Sequence, residues 1–499
     1  MFKRIIMVVL TLFFINYIFG CTKIVKIRMD GMEVLPEKII EAILVDGTVI
    51  KFDSEGGKYQ SWNDVIVGFD NEANYVEVPA SDVLYVKVKR TSVGGTILAV
   101  VGVLLVATLA AVAIIAATKE SCPFVYSFDG EQYVFDAEPL GGAICKALER
   151  TEYSRLEFLN NSGGKYKLLL RNEVEEIQYL DELKLAIVDH NPGDQIVADY
   201  YGNLYTISTP ISPISATDEN NNSLIKFLEK RDGIFWQSQL PRNDSQMPDE
   251  FRHQLTFKFP KPANVSAVNL IVNAGTALWG SNMIREMLQL RGDGVDAWYE
   301  DVNAGGAKAI ELFHFNLREE LYMLKTYVKR DNDWAIRGII PGGGPLITED
   351  RLIDIDLTDI SPDTLVIRIN PPRGFWTLDY IAVEYDQCPQ PQSRELLPVE
   401  SRDMFGKDIG PLLSEKDEKY FIMPEIEDWA TVEFNVPEKP DGKERTIFLK
   451  STGWYEIQTD KTQPEKKELV DKLLKTPGEI VKYSLEEYLK WHEFMLKNN

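Results

Sequence analysis

Histidine is scarce. Only 4 occur in 499 residues, at positions 190, 253, 314 and 492, and none shows His-x3-His spacing. A metal centre or catalytic network built from paired histidines therefore has few starting points. Cysteine is equally scarce, at 4. No Cys-x-x-Cys occurs, which removes the usual structural-zinc and dithiol redox motifs. No Gly-x-Ser-x-Gly elbow marks a serine nucleophile, although the partners of such a site meet in space and not in sequence. Gly305-Gly306 and Gly342-Gly343-Gly344-Pro345 lack the strand–loop–helix setting and the following Lys-Ser/Thr of a phosphate cradle, so they read as turns. Basic residues are in the minority. With 54 Lys and Arg against 77 Asp and Glu the net charge is −23, which repels polyphosphate and argues against a nucleic-acid partner. No cofactor motif is present, and no cofactor is expected.

What the chain does have is apolar sequence in two concentrated runs. Lys3 and Arg4 precede Ile5–Phe19, broken only by Thr11, Asn16 and Tyr17, a pattern that predicts an export signal over residues 1–20. The run ends Ile18-Phe19-Gly20-Cys21, which resembles the lipobox of bacterial lipoproteins and implies lipidation of Cys21. Residues 91–118 carry no charge, and Ile97–Ala117 is almost wholly Ala, Val, Leu, Ile and Gly. About 20 apolar residues suffice to span a bilayer, so a transmembrane helix is predicted there. Two topology signals conflict. A cleaved signal followed by a stop-transfer helix would leave residues 119–499 inside. Lys87, Lys89 and Arg90 on the N-side of the helix place them outside. The exported β-protein character of the large part favours the second.

The fold class expected is mainly β: a small β unit, one transmembrane helix, then β-sandwich (jelly-roll-like) domains and a helical C-terminal tail. The divisions are 21–90 (small β unit), 119–222 (β domain), 223–387 (β-sandwich), 388–462 (small β unit) and 463–499 (helical tail). Asp46-Gly47 and Asp129-Gly130 sit between apolar runs as hairpin turns. Leu255, Phe257 and Phe259 alternate with polar residues, as do Ile353, Ile355 and Leu357, and Leu365, Ile367 and Ile369. Short alternating strands at close spacing argue for a β-sandwich over a parallel sheet. Asn282–Leu290 has helical spacing, and so has the chain from Pro464 to Leu496 with a break at Pro477. Charge divides unevenly: residues 22–90 carry 9 basic and 12 acidic side chains, which leaves −22 on residues 119–499.

The run Cys122-Pro-Phe-Val-Tyr-Ser-Phe-Asp-Gly-Glu-Gln-Tyr-Val-Phe-Asp136, with Gly141-Gly142-Ala143 after it, resembles a segment of uncharacterised bacterial envelope proteins and lipoproteins. Asn172-Glu173-Val174 to Asp189-His190 and Ser451-Thr-Gly-Trp-Tyr455 fit the same pattern. In some relatives such segments lie near tetratricopeptide or FG-GAP-type repeats, which this chain lacks. The resemblance implies a bacterial cell-envelope location and transfers no catalytic residue.

Three sets of residues remain as candidates for chemistry. Cys122 and Cys145 are in reach of a disulfide if the compartment oxidises; the alternative is a pair of buried or free thiols. Asp354 and Asp356 share one face of a strand and are weak calcium candidates, set against a solvated strand face. Trp298, Trp334 and Trp376, among nine Trp, are candidates for sugar stacking if exposed. The expectation is a membrane-attached envelope protein with a non-catalytic binding or structural role, whose partners are membrane lipid and other envelope proteins or glycans. A carbohydrate-binding or carbohydrate-processing protein and a membrane assembly factor are the alternatives. An exposed aromatic platform beside carboxylates would favour carbohydrate.

Overall fold

A computed structural model describes residues 22–28, 38–44, 48–53, 56–60, 65–70, 74–91 and 123–498, apart from 239, 242, 244–246, 249, 361, 362 and 387. The predicted signal peptide, Cys21, Cys122, the Asp46-Gly47 turn and the apolar run 92–118 lie outside the described residues. Within them no helix is long and apolar enough to cross a membrane. The chain divides into two units, Met1–Ala111 and Val112–Asn499.

The described residues of the first unit are mainly β-strand. One antiparallel sheet has the order Thr22–Arg28, Val83–Thr91, Ile39–Leu44, Val49–Lys51, and a second comprises Lys58–Gln60, Val65–Phe69 and Tyr75–Pro79. Ile39, Ala42, Phe52, Ile66, Val78, Val83 and Val86 form its core. Glu41 lies 2.9 Å from Lys87 and 3.7 Å from Lys51. The hydrogen bond from Lys87 holds its carboxyl below the usual range.

The second unit is mainly β with several sheets. Its first pair of facing sheets shares one core. One sheet runs Glu400–Asp403, Trp429–Asn435, Lys165–Arg171, Phe124–Phe128, Tyr133–Ala137. The Asp129-Gly130 turn joins its last two strands as expected, with Gly130 at φ 109°. The other runs Arg150–Leu156, Glu444–Ile457, Glu176–His190, Ser393–Leu396, with Phe421–Met423 also paired to Glu176–His190. Residues 388–462, expected from the sequence to form a separate small β unit, thus supply strands to both sheets. Period-2 alternation makes the inner faces: Tyr166, Leu168 and Leu170 stand opposite Phe434, Val432 and Ala430, all buried. In Glu176–His190 the pairing slips between Leu180 and Glu182. The bulge reverses the parity, so even residues (Gln178, Leu180) face inward before it and odd ones (Leu183, Leu185, Ile187) after it.

A second pair of facing sheets is inserted between these halves. One sheet has the order Ser215–Thr217, Leu255–Pro260, Thr364–Ile369, Met323–Arg330, Asp333–Pro341, and the other Trp236–Gln237, Trp376–Glu384, Ala267–Thr276, Glu349–Asp356. Leu255, Phe257 and Phe259 pair with Ile369, Ile367 and Leu365, and all six are fully buried. Each such side chain contributes about 1.5–3 kcal/mol relative to exposure. The hairpin Gln195–Ala198 and Leu204–Ile207 lies between the two pairs. Ile196, Ala198 and Leu204 pack on Ala186, Val188 and Phe448, while Val197 and Ile207 pack on Ile271, Leu352, Tyr380 and Ala382.

A buried polar network joins the same two pairs. Glu349 accepts from Ser154 at 2.6 Å and pairs with Arg351 at 2.6 Å, and Arg150 pairs with Glu152 at 2.6 Å. Gly141 and the Gly342-Gly343-Gly344 stretch meet here. A Cβ on Gly141 would stand 2.8 Å from backbone atoms of Gly343 and Gly344, and one on Gly344 would strike the Glu138 carboxylate. Close backbone approach, more than turn geometry, is what these glycines provide. The helices Leu278–Gln289, Val295–Asn303 and Ala307–Glu319 cover one side of both pairs, followed by the C-terminal helices Lys467–Lys475 and Glu479–Asn498. Gly478, at φ 78°, turns the chain between the last two.

Candidate functional site

Two helices far apart in sequence build an open groove of about 350 Å³. Leu278–Gln289 contributes Trp279, Asn282 and Glu286, spaced three and four apart on one face. Glu479–Asn498 contributes Glu487, Lys490, Trp491 and Phe494, again at helical spacing. The helices dock through the Trp279 indole, whose N–H donates to Ser484 Oγ at 3.0 Å. Around it the aromatic rings are tilted. Trp279 and Trp491 centroids are 6.0 Å apart at 42°, and Tyr488 stands edge-on to Trp279 at 5.1 Å. Trp279 is buried, Trp491 is half-buried, and Phe494 is 63% exposed at the mouth.

The polar side of the groove is acidic. Burial, and then the charge of Glu487, push the Glu286 carboxyl above the usual range, partly offset by Arg285 and a hydrogen bond with Asn282. Glu487 is ion-paired with Lys490 at 2.6 Å, and that hydrogen bond raises the Lys490 ammonium. The two carboxyls are thus held differently: Glu286 is half-buried and shifted upward, and Glu487 is beside a cation. Two carboxyl groups, a lysine amine and a carboxamide line a groove whose floor and mouth are aromatic. Such a surface can hydrogen-bond hydroxyls in both directions while stacking on an apolar ring face.

The residues singled out from sequence lie elsewhere. Trp376 is fully buried and donates to the Glu320 carbonyl at 3.2 Å. Trp298 is 6% exposed and lines an apolar cavity of about 70 Å³ together with Met283, Met287 and Phe315, with the Arg291 guanidinium 4.8 Å above its ring. Neither meets the condition of exposure. Trp334 is half-buried, with one face covered by Arg368 at 3.9 Å. Asp356 caps the turn through Thr358 N at 2.9 Å and lies 3.8 Å from Arg337, while Asp354 is exposed. Among the described residues no group of three or more His, Cys, Asp or Glu is placed to hold a metal ion. Cys145 is a free thiol in the core, pushed up to about 12 by burial. Its candidate partner, Cys122, is outside the described residues. His190 ends the strand Glu176–His190, its Nε2 2.8 Å from Thr446 Oγ1.

No family model matches the chain, and no curated protein matches it. Solved structures align with it, among them one described as the atomic structure of Sulfolobus Turreted Icosahedral Virus and one as the triple jelly roll fold and turret assembly in an archaeal virus. Each is 8% identical, covers 68% or 69% of this chain and 98% of its own, and has a TM-score of 0.13 or 0.14. A likeness of that size carries no argument about fold or function.

Proposed function

We propose that this is a membrane-attached protein of the bacterial cell envelope, with a binding role exercised on glycans at the groove between Leu278–Gln289 and Glu479–Asn498. In this reading Cys21 is lipidated, residues 91–118 span the membrane, and the paired sheets are β-sandwiches of jelly-roll-like kind displayed outside the cytoplasm. The observation that carries it is the joining of Trp279, Trp491 and Phe494 with Glu286, Glu487 and Asn282 in one open groove. An aromatic surface beside carboxyls is the combination expected of a sugar site. The acidity of the large part suits an uncharged or cationic glycan better than an anionic one. No chemistry is assigned to this groove.

The test is calorimetric titration of the detergent-solubilised full chain with a panel of neutral, amino and acidic oligosaccharides. Binding of a neutral or amino sugar is expected, weakened at least tenfold by Trp491→Ala. Failure of the whole panel to bind, or equal binding by the variant, would refute the reading.

A further inference from the structure

The loops at one end of the second sheet pair bring together a serine, a histidine and a glutamate that lie 15 and 34 residues apart in sequence. Ser238 follows the short strand Trp236–Gln237, whose pairing with Trp376–Glu384 fixes it at the sheet edge. His253 precedes Leu255–Pro260, and its backbone N–H donates to the Pro371 carbonyl at 2.9 Å. Glu219 follows Ser215–Thr217 in a turn that Asp218 closes through the N–H groups of Asn220 and Asn222.

The hydrogen bonds run in one direction. Glu219 Oε1 is 3.0 Å from His253 Nδ1, and an ionised carboxylate only accepts, so Nδ1 carries the proton. His253 Nε2 is then an acceptor, and the Ser238 hydroxyl 2.8 Å away donates to it. Glu219 is itself held by Arg373 Nη2 at 2.8 Å and by the Gln254 N–H at 3.2 Å. The imidazole is fixed on its faces as well. Trp236 meets it edge-on at 5.2 Å. Arg373 Nη1 lies 3.2 Å from both ring nitrogens. Burial, and then that guanidinium, lower the His253 pKa against the opposing pull of Glu219, which favours the neutral form a general base requires.

We infer that Ser238, His253 and Glu219 form a nucleophile, a base and a positioning carboxylate for hydrolysis of apolar acyl esters. The apolar preference follows from Ile234 and Phe235, which precede Ser238 by four and three residues and are 55% and 41% exposed. Ser238 Oγ attacks the ester carbonyl carbon and passes its proton to His253 Nε2. The carbon–oxygen ester bond breaks, and the alcohol leaves with that proton. Water then attacks the acyl-serine, gives one proton to Nε2 and its hydroxyl to the acyl carbon, and the proton returns to Ser238 as the acid departs.

The site is distinct from the glycan groove, so neither reading depends on the other. The test treats the full-length protein with a fluorophosphonate probe and locates the adduct by peptide mass spectrometry, with 4-nitrophenyl butyrate hydrolysis followed in parallel. The adduct is expected on Ser238 and absent from Ser238→Ala. His253→Gln should slow labelling at least about 100-fold, and Glu219→Gln at least tenfold. If His253→Gln fails to fold, the rates of Ser238→Ala and Glu219→Gln decide. A natively folded wild type without adduct on Ser238, or equal labelling of the folded histidine or glutamate variant, would overturn the proposal.

Discussion

Replacing Arg351 by methionine removes a guanidinium buried between carboxylates while keeping much of the side-chain volume. Arg351 and Glu349 are each 7% exposed and 2.6 Å apart. Burial alone would raise the Glu152 carboxyl, but Arg150 and Arg351 outweigh it and hold that group below the usual range; in Glu349 burial prevails and the shift is upward. Breaking a buried pair by removing one partner costs about 3–5 kcal/mol, because the other charge stays desolvated. The network spans the two sheet pairs, so the loss falls on their joint. At a urea slope of about 3 kcal/mol/M, the unfolding midpoint of the full chain should drop by about 1–1.7 M, as read by tryptophan fluorescence. Arg402→Met is the control, since its pair with Glu400 is 53% exposed on both sides and should leave the midpoint in place. Adding Glu349→Gln to Arg351→Met should recover part of the loss. A midpoint drop below about 0.3 M for Arg351→Met would show that the guanidinium does not hold these carboxylates, and the account of the joint would be wrong.

Two further outcomes test other features. Gly141→Ala places a methyl against the backbone of residues 343 and 344, which cannot rotate away. It should lower stability by about 1–3 kcal/mol or more, measured by the same urea titration, and an unchanged midpoint would contradict the close approach. Glu286 has a folded-state pKa raised above the usual 4.5, so its contribution to stability is full below that value and is lost as pH rises through the folded pKa. Glu286→Gln mimics the neutral form. The thermal midpoint of wild type relative to this variant should therefore fall as pH rises from about 4 to about 7, and a flat or opposite trend would show that the carboxyl is not held protonated.

The individual strands were legible because exposure on one side of a sheet writes period-2 alternation into the chain. Leu255-Thr-Phe-Lys-Phe259 shows it, and its partners Leu365, Ile367 and Ile369 show it equally. What the alternation does not carry is who pairs with whom. Trp429–Asn435 returns across more than 200 residues to Lys165–Arg171, yet any strand with the same period would look as suitable. The reversal of parity at Leu180/Glu182 was equally hidden, since an inserted residue is visible only against its partner. The groove was missed for a related reason. Trp279 lies in an apolar helix start and Trp491 in an amphipathic tail, and each reads as core until the helices dock. Ser238, His253 and Glu219 carry no local signature, because no elbow sequence accompanies the serine.

The hairpin of residues 195–207 shows how such gaps connect. A two-stranded sheet is marginal alone in water, and this one shows no clean alternation, because both of its faces are covered. Ile196 and Ala198 face one sheet pair, and Val197 faces the other. In the sequence nothing marks it off within the β domain of residues 119–222. In the fold it is a shared middle layer. Separating the two sheet pairs would expose Val197, Ile207, Ile271 and Ala382 together with the buried charges of Glu349 and Arg351. Apolar exposure and an unpaired charge penalise that motion at once. Both proposed sites draw their residues from the second sheet pair and the helices packed on it. They are therefore mounted on a scaffold that resists opening, which is what a binding groove and a three-residue hydrogen-bond chain both need to keep their geometry.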